Sequence, residues 1–264
     1  MYRSLLYVPA HSDRFLSKAH ERGADAIVLD LEDAVPEADK DRARNGLAAS
    51  VAQVGRNGAA VFVRINAGAR AVDDARAAKA AGAAGVVVAK ADLAGLAALA
   101  PVEISLLALI ESPAGVLDAR ACAAATNVIA LLVGGEDLAT ALGGEATPEV
   151  LRVPKLLVHY AARAEGKLSF GLLRSVSDYS DLDGIRAAAE EAHAHGFDGA
   201  TCVHPSAVPI LNLGFAPSAE EINWARRVVD GARVSDGAFS LDGQMIDKPV
   251  VERARRILAQ ASRH

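Results

Sequence analysis

Two short stretches carry the acids most able to do chemistry. In LLALIESPAG an apolar run ends at Glu111, and in LLVGGEDLA one ends just before Asp137. An acid set just past a run of Val, Ile, Leu and Ala is poorly solvated unless something pairs with it. If both runs are strands of one sheet, the two carboxylates converge at the same end. Oxygen-only ligands with room left for water favour a hard divalent cation, Mg²⁺ first and Mn²⁺ second. A metal with open coordination positions points to an enzyme. Each acid also has a plainer role open to it. Glu111 could cap a helix at Pro113, and Asp137 one at Leu138.

The elements that would position these acids follow from the apolar periodicity. Eight short apolar runs read as strands: Ser4–Val8, Ala26–Leu31, Ala60–Ile65, Gly85–Val88, Ser105–Ile110, Val128–Val133, Leu168–Leu172 and Gly199–Val203. Several are apolar throughout, as expected for parallel strands covered on both faces. Alanine-rich amphipathic segments lie between them, such as Asp13–Arg22, Asp39–Val54, Val72–Ala81 and Gly184–Ala194. Eight strand–helix units within 264 residues fit an α/β fold of the (β/α)₈ TIM-barrel type. A doubly wound open sheet is the runner-up. The barrel is expected over 1–212, with a helical extension over 213–264. In that tail Pro217–Arg233 reads as a helix with a Ser218/Glu221 capping box. A loop, VSDGAFSLDGQMID, follows, and a last helix begins near Pro249.

Composition excludes several classes of function. A net charge of −5 with no basic cluster argues against nucleic acid as a partner. No stretch is apolar for long enough to span a membrane, and MYRSLLYVPA is too short for a signal peptide. Cys122 and Cys202 have no metal-type spacing and read as buried, reduced thiols of a cytoplasmic protein.

Barrel chemistry sits at the C-terminal ends of the strands. Those ends carry His11, then Asp30, Glu32 and Asp33, then Arg64 and Asn66, then Glu111 and Ser112, then Gly134 to Asp137, then His204. Acids dominate, and Arg64 is the cation best placed to offset them. No serine or cysteine nucleophile pattern is present, and Lys90 is the only strand-end lysine in a context suited to Schiff-base chemistry. The glycines of GGEDL allow close backbone approach, so that successive N–H groups there could hold a carboxylate.

In order along the chain, RSLLYVPA, VLDLEDAV, VFVRIN, ALIESPAG, GGEDLATALG, CVHP and DGQMIDKPV resemble the motifs of the citrate-lyase-β-like branch of the HpcH/HpaI aldolase superfamily. The resemblance implies a barrel assembled as a homotrimer or hexamer. It also implies Mg²⁺-dependent cleavage or formation of a carbon–carbon bond in CoA thioesters such as malyl-CoA or citramalyl-CoA. Acetyl-CoA and a 2-oxoacid, glyoxylate or pyruvate, would be the fragments. By motif position, Glu111 and Asp137 are the metal ligands and Arg64 faces the thioester carbonyl. Backbone N–H groups near Gly135, Glu136, Asp137 and Leu138 hold the oxoacid carboxylate. Glu32 is a catalytic candidate beside Arg64, or simply its ion-pair partner. His11, Arg14 and Lys18 are candidates for CoA phosphates, with surface solvation as the plain reading. An acid must reprotonate the enolate carbon, and the resemblance gives that part to Asp247, reaching a neighbouring subunit's site. Asp247 could equally cap the helix near Pro249.

Two positions depart from the family's usual pattern. Ala10 follows Pro9 where glycine is common, and Ala207 stands where glutamine is common. Two other functions remain open. One is a citrate-lyase β-type subunit working with an acyl-carrier partner, and the other is a CoA-independent class II pyruvate aldolase.

Overall fold

The computed structural model describes residues 2–177, 179–235 and 237–262. Eight parallel strands form its centre: β1 (Ser4–Pro9), β2 (Ala26–Asp30), β3 (Ala60–Ile65), β4 (Gly85–Val88), β5 (Leu106–Ile110), β6 (Val128–Val133), β7 (Leu168–Phe170) and β8 (Ala200–Cys202). Helices occupy the connections. The strand order is β7-β6-β5-β4-β3-β2-β1-β8, so β1 is flanked on both sides. A bridge from Phe170 to Gly199 joins β7 to β8. There the Gly171 N–H donates to the Gly199 carbonyl, and the Asp198 N–H to the Ser169 carbonyl, each at 2.9 Å. The sheet is therefore a nearly closed barrel and not a doubly wound open sheet.

The apolar runs are buried on both faces because the barrel has two cores. Leu5, Val28, Phe62, Val87, Leu107 and Leu132 fill the interior. Leu6, Ile27, Val63, Val86 and Leu131 point outward into the layer between strands and helices. Side chains alternate along a strand, so the inward set continues to the strand ends. Val28 is followed on its face by Asp30, Phe62 by Arg64, and Leu109 by Glu111. The parity that fills the core also delivers the charged groups to the mouth.

β7 and β8 are shorter than the apolar runs that announce them. Gly199, read as the first residue of the last strand, lies just outside it. A Cβ there would fall 2.0 Å from the Tyr2 carbonyl oxygen, so the chains approach at backbone distance. The expected helix Asp39–Val54 is two helices, Lys40–Asn45 and Leu47–Val54, parted at Gly46. Glycine is the weakest ordinary residue in a helix interior.

The described chain forms two compact units, residues 1–215 and 216–264. The helix Ala207–Gly214 runs past residue 212, and Phe215 behind it is fully buried. In the second unit the helix Ala219–Arg233 carries the complete Ser218/Glu221 capping box. The segment read as a loop contains a hairpin, β9 (Phe239–Leu241) with β10 (Gln244–Ile246). Its turn residues Asp242 and Gly243 have φ of 51° and 78°, as a type I′ turn demands, and Asp-Gly is a strong sequence signal for one. Ile246, Ala225, Val228, Val251 and Ala254 make this unit's core. No helix among the described residues is long and apolar enough to cross a membrane.

Candidate active site

The C-terminal mouth of the barrel holds a cavity of about 470 Å³, with Asp30, Arg64, Glu111, Glu136 and Asp137 on its wall. Arg64 is its best-held group. Its Nε donates to Asp30 Oδ1 at 2.8 Å and its Nη2 to Oδ2 at 2.5 Å, a bidentate pair. Its Nη1 lies 3.3 Å from Asp33 Oδ2 and 2.9 Å from Glu32 Oε2. The Glu32 contact is an ion pair too poorly aligned for a hydrogen bond, so Oε2 is buried without one. Burial disfavours the Arg64 charge, but Asp30 more than restores it and the pKa moves up. Asp30 in turn accepts from the Glu32 N–H at 2.9 Å and the Ala34 N–H at 3.3 Å. Asp30, rather than Glu32, is thus the principal partner of Arg64.

Glu32 does not line the cavity. It joins Arg64 to Lys90, whose Nζ donates to Oε1 at 3.2 Å. Burial first, then contact with the Asp33 carboxyl, raises its pKa. Burial would raise Asp33 too, but the Glu32 contact and the Arg64 charge hold it below the usual range. Glu32 is the member of this pair that takes a proton more readily.

Glu111 is buried at the end of β5 and accepts from the Lys90 N–H at 2.6 Å. Lys90 reaches that position with φ of 50°, a left-handed conformation unusual for a non-glycine residue. Burial pushes the Glu111 carboxyl up to about 7, against the pull of the Lys90 N–H, and the Asp137 charge adds to the rise. Gly134 makes room for it, because a Cβ there would fall 2.4 Å from Glu111 Oε1. The capping role at Pro113 goes to Ser112, which accepts from the Gly115 N–H at 3.0 Å. Asp137 lies in the first turn of the helix Gly135–Leu142, whose N-cap is Gly134. Neither acid is therefore an N-cap. A buried carboxylate held against a second one, with glycine beside it, fits a shared cation. Among the described residues no cluster of three or more His, Cys, Asp or Glu forms a ligand set. Mg²⁺ commonly takes one or two protein carboxylates and keeps water elsewhere. The pair fits it.

The Leu138 N–H already donates to the Gly134 carbonyl at 3.1 Å, and its side chain is buried. The N–H groups of Gly135, Glu136 and Asp137 precede it in the first turn and have no helical acceptor. The anion site read from GGEDL is thus narrowed to three of its four N–H groups.

A model of the HpcH/HpaI aldolase/citrate lyase family matches residues 3–205. The chain belongs to this family. Membership makes it a carbon–carbon lyase. A citrate lyase subunit beta-like protein of Mycobacterium tuberculosis is 37% identical over 266 residues, covering 97% of this chain and 94% of that one. A (3S)-malyl-CoA thioesterase of Cereibacter sphaeroides is 34% identical over 273 residues, covering 98% and 94%. The crystal structure of the M. tuberculosis protein CitE in complex with magnesium, acetoacetate and coenzyme A has a TM-score of 0.84 and 34% identity, covering 98% of this chain and 97% of that one.

The fold of this lyase brings Glu32, Arg64, Glu111, Gly135, Glu136 and Asp137 together at or beside one mouth. His11, Arg14 and Lys18 lie off the cavity wall. Arg14 and Lys18 are exposed and Arg14 rests over Phe15, while His11 Nδ1 is buried without a partner. Asp247 belongs to the second unit, where it is the N-cap of the helix Lys248–Ala261 and accepts from the Val250 N–H at 3.3 Å. Its capping role is thus met.

Two wall residues escaped sequence reasoning. Tyr7 is one, with its ring centroid 5.3 Å from the Arg64 guanidinium carbon and its phenol held protonated by burial. Strand parity with Leu5 would have placed it inward. The other is Lys155, buried in the helix Pro148–Ala164. It interrupts the apolar stripe Leu151, Val158, Ala162 at helical spacing, which was its legible signal.

Proposed function

We propose that this lyase cleaves, or in reverse forms, a 3-hydroxyacyl-CoA thioester of the malyl-CoA or citramalyl-CoA type. The products are acetyl-CoA and glyoxylate or pyruvate. The observation that carries this reading is that the Glu111–Asp137 pair lines the same cavity as an arginine already locked in orientation by Asp30. Glu111 and Asp137 would hold Mg²⁺, which supplies Lewis acidity toward the oxygens of the 2-oxoacid half.

The chain's own groups do the rest. The hydroxyl gives up its proton to water as its oxygen becomes the carbonyl of the 2-oxoacid, and the broken bond between that carbon and the thioester α-carbon leaves its electron pair on the thioester fragment, as an enolate. Three of the five Arg64 N–H groups are spent in hydrogen bonds to Asp30 and Asp33, which leaves donors for the enolate oxygen. Because Asp30 fixes the guanidinium beforehand, no reorganisation is needed as charge develops. Glu32 tunes that arginine from its other edge. The N–H groups of Gly135, Glu136 and Asp137 receive the oxoacid carboxylate at a helix start. Asp247 supplies the proton to the enolate carbon, across a subunit boundary of a homotrimer or hexamer. His11, Arg14 and Lys18 meet the CoA phosphates.

The test is a product assay. The pure chain is incubated with malyl-CoA, citramalyl-CoA and citryl-CoA, with Mg²⁺ or EDTA, and products are identified by mass. Acetyl-CoA with glyoxylate or pyruvate, only with Mg²⁺, supports the reading. Free CoA with an intact hydroxyacid would show a thioesterase instead. Cleavage only with a small acyl-carrier protein, or only of CoA-free hydroxyacids, would favour the other two readings. The shared site has its own test. Arg64→Ala and Asp247→Ala chains, each inactive alone, regain part of the activity when subunits exchange.

A further inference from the structure

Lys155 has no part in the chemistry above, yet it is 4% exposed and lies on the wall of the same cavity. Its Nζ donates to the Leu172 carbonyl at 2.9 Å and the Arg174 carbonyl at 2.7 Å. An ammonium has three donors, so one remains. No carboxylate among the described residues forms an ion pair with it. The nearby acid, Glu136, is engaged by the Ser175 and Ser177 hydroxyls at 2.5 and 2.8 Å. A buried charge with only neutral acceptors is costly and persists where something else needs it.

Its position says what that is. A Cβ on Gly135 would lie 3.8 Å from Lys155 Cε, so the lysine packs beside the first residue of the helix Gly135–Leu142. Gly135, Glu136 and Asp137, at the positive end of that helix, line the same cavity as Lys155. We propose that the Lys155 ammonium is a specificity determinant: from beside the helix start it draws in the carboxylate of the 2-oxoacid and selects that anion over a neutral analogue. This rests on the 2-oxoacid reading given above. Burial pushes the Lys155 pKa down to about 8, and the Glu136 charge works against that fall. The group is mostly charged at neutral pH.

A plainer role would be a strut, because the two carbonyls it holds belong to the segment after β7. Pyruvate and pyruvamide separate the two roles, since they differ in charge and little in shape. Calorimetry is run on the full chain with Mg²⁺ for the native protein, Lys155→Met and Lys155→Gln. Met is near-isosteric and uncharged, but it leaves the Leu172 and Arg174 carbonyls without this donor. Gln keeps donors for the carbonyls. Both variants are expected to lose tenfold or more in affinity for pyruvate while pyruvamide changes less than twofold. Equal losses for both ligands would make Lys155 a strut, and no loss for either would make it a bystander. Either result overturns the proposal. If the native chain with Mg²⁺ binds no 2-oxoacid, the functional reading itself fails, and the proposal with it.

Discussion

The two sides of the barrel mouth each hold a cation, Arg64 partly buried and Lys155 fully so, and they treat it in opposite ways. On the β2–β3 side Arg64 meets three carboxylates, from Asp30, Glu32 and Asp33. On the β6–β7 side Lys155 meets two backbone carbonyls and, among the described residues, no ion-pair partner. A cation paired with several anions is fixed in place and draws little charge from a distance, although its remaining N–H groups still serve an oxygen set against them. A cation left with neutral acceptors keeps its field for a ligand. One side is built for orientation and the other for attraction, with the Glu111–Asp137 pair between them.

The contrast breaks most sharply at that pair. Glu111→Gln should take activity to background, and Mg²⁺ binding by calorimetry should vanish with it. The same change removes the repulsion with Asp137, so the metal-free variant should melt no lower than the metal-free native chain. Substantial activity in Glu111→Gln would mean that the metal is held elsewhere.

Arg64→Lys comes next. It keeps a charge but loses the planar fork that Asp30 grips. Turnover should fall about 10²–10³-fold, the usual cost of an oxyanion donor, with CoA-thioester affinity little changed. Near-native kcat in this variant would reduce the Asp30–Arg64 pair to a structural tie.

The smallest effect concerns the Lys155 side. His159, one turn along the same helix, is buried and stacked on Phe197 with ring centroids 4.3 Å apart. Burial first, then Arg163, lowers its pKa to about 4. The fold therefore prefers the neutral ring. That preference stabilises fully above the unfolded-state pKa and is lost as pH falls from about 6.5 towards 4. Between pH 7 and pH 5 the loss is about 2 kcal/mol. His159→Phe keeps a ring for the stack and has no proton to take up, so its melting temperature should fall less over that range. An identical pH dependence in the variant would place the acid sensitivity elsewhere.

Much of this site is legible in the sequence. Period-two burial within apolar runs marks strands, and the acid or arginine that ends a run on its inward face marks the mouth. Asp30, Arg64 and Glu111 are read that way, because strand parity is a local property. The capping box at Ser218 and Glu221 is equally local. The hairpin at Asp242 and Gly243 was just as local, but the surrounding glycines and aspartates read as loop.

By itself, then, the sequence determined the eight strands and the strand-end positions of Glu111, Asp137 and Arg64, since each is written in a few consecutive residues. Tertiary structure decided what those residues meet. The pairing of β2 with β3 set Asp30 beside Arg64, 34 positions apart, and the pairing of β4 with β5 put the Lys90 N–H on Glu111. Tertiary structure also placed Gly134 where a side chain would strike that carboxylate. Helix winding consumed the Leu138 N–H, and the packing of the helix Pro148–Ala164 under the mouth carried Lys155 to Gly135. Side-chain direction repeats along a strand or helix, but which residues meet across the sheet is fixed only when distant segments pair in register.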